Sequence, residues 1–104
     1  MHDHPPVCCT LTSEGLRERR AQVLAPFLAS VRSIERLPDG MSLDLGQDED
    51  TLRAAIDLIA VERQCCQFLK FELTAEPGLG TIRLRLSGPP GTADFLASEL
   101  GIGE

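Results

Sequence analysis

Strict alternation of apolar and polar residues constrains the fold of this chain more than any other feature. Met41, Leu43 and Leu45 alternate with Ser42 and Asp44. Leu69, Phe71 and Leu73 alternate with Lys70, Glu72 and Thr74, and Ile82, Leu84 and Leu86 alternate with Arg83 and Arg85. Successive side chains of a strand point to opposite faces, so each stretch reads as a strand with one apolar and one wet face. The turn Pro38-Asp39-Gly40 joins the first stretch to an Ile34 to Leu37 strand. Pro77-Gly78-Leu79-Gly80 joins the other two stretches. The pattern therefore predicts two β-hairpins, with Glu72 opposite an arginine across the second.

Helical spacing fills the intervals. Thr12 or Ser13 caps a first helix whose apolar positions are Leu16, Val23, Leu24, Phe27, Leu28 and Val31. Pro26 falls inside it and is expected to kink or restart it, because proline removes a bond to the preceding turn. A second helix starts near Asp48 or Asp50, turns Leu52, Ile56, Ile59 and Ala60 inward, and runs to about Cys66. Gly88-Pro89-Pro90-Gly91 breaks the chain before a short last helix with Phe95, Leu96 and Leu100. Ahead of all this, Val7 to Leu11 has the composition of a short edge strand, and residues 1–6 read as a flexible tail. The expected fold class is α+β: one antiparallel β-sheet of about four to five strands with helices on one face, a two-layer sandwich. Residues 7–104 make a single domain. The helix-then-hairpin order, met twice, hints at two related halves.

The 104 residues are 42% hydrophobic and 25% charged, enough for one modest core, and Phe27, Phe68, Phe71 and Phe95 are its only aromatics. A net charge of −6 disfavours nucleic acid, which requires a basic surface. Arg17, Arg19 and Arg20 read as the solvated face of the first helix. The longest nearly apolar run, Ala54 to Val61, is interrupted by Asp57 and far short of the ~20 residues that span a bilayer. No secretory signal is visible in Met-His-Asp-His-Pro-Pro, so the expected compartment is the cytoplasm, where thiols stay reduced.

All four cysteines lie in two adjacent pairs, Cys8-Cys9 and Cys65-Cys66. Neighbouring Cα atoms are about 3.8 Å apart, whereas an ordinary disulfide prefers roughly 4.4–6.8 Å. A bond within either pair is therefore strained and easily reduced. Zinc sites usually space their ligands C-x₂₋₄-C, which adjacency is not. Adjacent side chains diverge by about 100° on a helix and point to opposite faces of a strand, so each doublet delivers two sulfurs to one place only where the backbone is irregular. Soft ions of low coordination, Cu(I) or Hg(II), suit sparse thiolates better than Zn(II). Glu62 and the negative end of the second helix disfavour a thiolate at Cys65 or Cys66, while Arg63 and Lys70 oppose them. The bland alternative is packing: cysteine is among the most buried residue types, and Cys65 and Cys66 stand seven residues after Leu58 and Ile59. His2 and His4 read as solvated tail residues, the alternative being a site shared with the amino terminus, so a Cys/His catalytic arrangement lacks a credible base.

Val61-Glu62-Arg63-Gln64-Cys65-Cys66-Gln67-Phe68-Leu69-Lys70-Phe71-Glu72-Leu73 resembles a segment of small uncharacterised bacterial proteins, of the form E-R-x-C-C-P-F-L-x-F-x-L. Leu84-Arg85-Leu86-Ser87-Gly88-Pro89-Pro90-Gly91-Thr92 resembles their L-x-L-x-G-P-x-G-T segment, and Val7-Cys8-Cys9-Thr10-Leu11 their N-terminal doublet. Gln67 stands where those proteins often carry proline. The resemblance implies no activity; it implies that the doublet and Phe68 form a unit and that Cys65 and Cys66 are site residues.

The first expectation is a soft-metal-binding protein serving metal handling or resistance, with Cys8, Cys9, Cys65 and Cys66 as ligands, Arg63 offsetting thiolate charge, and Cu(I), Hg(II) or Zn(II) as the ion. The alternatives are a thiol-disulfide redox protein or sensor and an interaction module with structural cysteines, for which a homodimer is the simplest partner. The sequence assigns no catalytic or organic-cofactor residue, no nucleic acid and no membrane.

Overall fold

The computed structural model describes residues 14–99, and the first doublet, the 1–6 tail, the 7–11 strand and Leu100 lie outside that range. The order is α1 (Glu14–Ala29), β1 (Val31–Leu37), β2 (Gly40–Leu45), α2 (Glu49–Cys65), β3 (Lys70–Ala75), β4 (Ile82–Ser87) and α3 (Thr92–Glu99). The strands form one antiparallel sheet in the order β1-β2-β4-β3. This is the α+β two-layer fold, with four strands among the described residues. Each hairpin follows a helix, and the returning strands β2 and β4 meet at the centre, Leu43 opposite Leu84.

Hydrophobic burial selects one face of the sheet. Met41, Leu43, Leu45, Ile82, Leu84 and Leu86 are all buried, and Phe27 of α1, Ala55 and Leu58 of α2 and Leu96 of α3 close over them. The opposite face carries the alternate residues: Asp44 pairs with Arg83 at 2.9 Å, and Arg85 lies 3.8 Å from Glu72. No helix among the described residues is long and apolar enough to cross a membrane.

Local chemistry sets the boundaries. The first helix continues through Pro26 to Ala29, so proline neither ends nor restarts it. Ser30 stops it, with N–H and Oγ both donating to the Phe27 carbonyl at 2.9 and 2.6 Å. Val31, assigned by spacing to that helix, instead begins β1, and the register slips between Val31 and Ser33. Asp48 caps α2, its carboxylate accepting from Thr51 N–H at 3.3 Å. Gly40 opens β2 because a Cβ there would collide with the Leu86 carbonyl of β4.

The inward face of α2 is rotated from its expected position. Thr51, Ala55, Leu58, Val61, Glu62 and Cys65 are buried, Leu52 and Ile59 are partly buried, and Ile56 is 51% exposed, with Ala60 exposed beside it. The two polar members of the buried stripe, Thr51 and Glu62, hid its phase.

Candidate thiol site

Cys65 and Cys66 stand where α2 ends. Cys65 closes the last turn, and Cys66 is the cap, with φ −123° and ψ 80° outside the helical region. Its N–H still donates to the Glu62 carbonyl at 2.7 Å, and Leu69 N–H donates to the Cys66 carbonyl at 3.2 Å. Both cysteines are buried, at 0% and 1% exposure, in one cluster with Val61 and Phe68. Leu16 and Val23 of α1, Leu69, and Phe95 of α3 pack around it.

Phe68 anchors the cluster. Its ring meets Phe95 edge to face, with centroids 5.1 Å apart and planes at 80°. Its carbonyl and ring also lie against Gly88, where a Cβ would crowd both. The cysteine-phenylalanine segment and the Gly88-Pro89-Pro90-Gly91 turn, far apart in the chain, thus pack as one unit.

Two charged side chains, Glu62 and Arg20, border this apolar setting. Cys66 Sγ donates to Glu62 Oε1 at 3.4 Å, and Arg20 Nε donates to Glu62 Oε2 at 2.5 Å. Arg20 Nη2 also lies 3.4 Å from Glu99 Oε1. The Arg20 and Glu62 side chains are only 13% and 7% exposed. Arg20 is therefore a buried ion-pair partner, not part of the solvated face on which the sequence put it with Arg17 and Arg19. The signal was in its spacing, four residues after Leu16 and three before Val23, on the apolar stripe. Glu62 thus bridges the two, one carboxyl oxygen accepting from Cys66 and the other from Arg20.

A hollow of about 350 Å³ opens beside Cys66, bordered among the described residues by Arg63, Cys66, Gln67 and Leu69. Arg63, expected to offset thiolate charge, lines this hollow with an exposed side chain. A hollow of about 400 Å³ on the open face of the sheet contains the paired Asp44, Arg83, Arg85 and Glu72, with no cysteine among its described lining residues. No protein-family model, curated protein or solved structure matches the chain. Among the described residues no group of three or more His, Cys, Asp and Glu side chains is arranged to hold a metal ion. Cys65 and Cys66 come together; Cys8 and Cys9 lie outside the described residues.

Proposed function

We propose that the protein binds a soft metal ion as cargo through paired cysteine sulfurs, with Cys65 and Cys66 at the centre of the site. The carrying observation is the convergence of both cysteines in one buried cluster beside Glu62, which is itself held by Arg20. Simple packing of two cysteines needs no buried ion pair against it, and taking such charges from water costs several kcal/mol before their attraction offsets it. The donor set suits soft ions of low coordination, Cu(I) or Hg(II), because two sulfurs in an apolar shell satisfy them. Zn(II) usually takes four ligands, which would have to come partly from outside the described residues, with Cys8 and Cys9 as the first candidates. The reading sets the protein in a reducing compartment, the cytoplasm, and serves metal handling or resistance.

Native mass spectrometry on anaerobic protein tests it, before and after addition of Cu(I), Hg(II) and Zn(II). The expected result is one ion per chain, lost when Cys65 and Cys66 both become Ser. Loss on changing Cys8 and Cys9 to Ser as well would assign all four cysteines to one site. The same spectra read the oligomeric state and so test a homodimer. Folded, reduced protein that takes up none of the three ions would overturn the proposal in favour of cysteines that pack.

A further inference from the structure

The hollow beside Cys66 has a composition that metal binding by the two cysteines does not require. Arg63 reaches it from the last turn of α2, Gln67 adds an amide just past the helix, and Leu69 supplies an apolar wall. Among the described residues Arg17, Arg19, Arg32 and Arg63 are in no ion pair, whereas Arg20, Arg36, Arg53, Arg83 and Arg85 each face a carboxylate; of the four, Arg63 is the one that borders the hollow beside Cys66. Arg63 thus sets a guanidinium with no ion-pair partner beside the thiol, in a chain whose net charge is −6. The nearest carboxylate in sequence, Glu62, is turned inward and committed to Arg20 and Cys66. The space, about 350 Å³, fits a small molecule and is far larger than a bare ion needs.

We infer that the cargo arrives as a complex with a small anionic thiol, and that Arg63 and Gln67 bind this carrier while Cys66 takes the metal. The inference rests on the soft-metal reading above and adds the substrate class of the same site. Arg63 attracts the carrier's carboxylate, and the Gln67 amide supplies a polar contact beside it. Transfer is then a ligand exchange in which the Cys66 S–H bond and the metal–thiolate bond of the carrier break. A Cys66 sulfur–metal bond forms, and the proton passes to the departing carrier sulfur, which leaves as a thiol. No oxidant or reductant takes part. The hydrogen bond to Glu62 keeps the Cys66 proton in place until that sulfur is there to receive it.

The test delivers Cu(I) from three thiols of similar size: anionic mercaptoacetate, neutral mercaptoethanol and cationic cysteamine. Transfer is followed by the ultraviolet absorbance of the new copper–thiolate bonds, and final loading by native mass spectrometry. The anionic carrier should transfer roughly tenfold faster than the cationic one to the wild type, the scale on which local charge alters encounter rates. Arg63→Gln should erase that order and Arg63→Glu should reverse it. Arg63 is exposed, so neither variant endangers the fold. Full loading at rates indifferent to carrier charge, or an order that survives Arg63→Glu, would overturn the carrier inference and leave the metal site standing. Failure to load from every carrier and from free Cu(I) would overturn both.

Discussion

Leu79 has a backbone angle rare for its residue type, φ 58°, beside Gly78 at φ 69°, and its side chain is 87% exposed. A branched side chain in this left-handed region is strained, and no burial offsets the strain. Leu79→Asn is expected to raise stability by about 1 kcal/mol, since asparagine tolerates the conformation; a urea midpoint that moves up at constant slope checks it. Asp48 shows a residue acting through hydrogen bonds. The bonds from Thr51 hold its carboxyl below the ordinary 3.8, against the opposing effect of desolvation. A folded value below the unfolded one gives stability that is complete above about 3.8 and lost as pH falls through the folded value. Asp44, lowered chiefly by its hydrogen bond from Arg83, acts in the same direction. Asp48→Asn should therefore flatten the acid limb of a stability–pH profile without abolishing it; an unchanged acid slope would remove Asp48 from the account.

On α2, the position of a side chain around the helix outweighs its hydropathy. Ile56 is half exposed while Leu58, two residues on, is 1% exposed beneath the sheet. Ile56→Gln should change stability by less than about 0.5 kcal/mol, whereas Leu58→Ala should cost about 3 kcal/mol through lost burial and the cavity left behind. Thermal melts of the two variants separate these outcomes, and equal losses would mean that the helix sits in another rotation. The hairpins are more plainly written than the helix. Period-two alternation matches the pleat residue by residue, so the inward sets Met41-Leu43-Leu45 and Ile82-Leu84-Leu86 follow directly from it. On α2 the buried stripe contains Thr51 and Glu62, and only contacts with α1 and the sheet reveal that these face inward.

Across the whole molecule, Arg20 joins the three helices. It pairs with Glu62 of α2 and approaches Glu99 of α3 from its place on α1. Glu62→Ala would leave a guanidinium with little access to water beside a weaker, more exposed partner. The expected cost is about 3 kcal/mol. Glu99→Ala should cost far less, because that side chain is 33% exposed and the contact is longer. Chemical denaturation of both variants tests the ranking, and a Glu99 loss as large as that of Glu62 would reverse it. The position of this pair beside Cys66 gives the thiol cluster a polar wall, so the same contact serves folding and the chemistry proposed for the site.

The sequence by itself determined the elements whose signal is local. Alternation specified the hairpins, and the acidic residues Asp48 and Asp50 marked a helix start. It also separated the two faces of the sheet, because a strand's side-chain period is set by the backbone alone. Tertiary structure decided what depends on residues distant in the chain. Arg20 and Glu62 are 42 positions apart, and no local pattern pairs them. Nor does adjacency reveal that Cys65 and Cys66 share one cluster, since that depends on the cap geometry at Cys66 and on Phe68 being held by Phe95 and Gly88. Burying apolar surface rewards contact without regard to sequence distance, so the surroundings of Cys65 and Cys66 exist only once the described helices and strands have packed together.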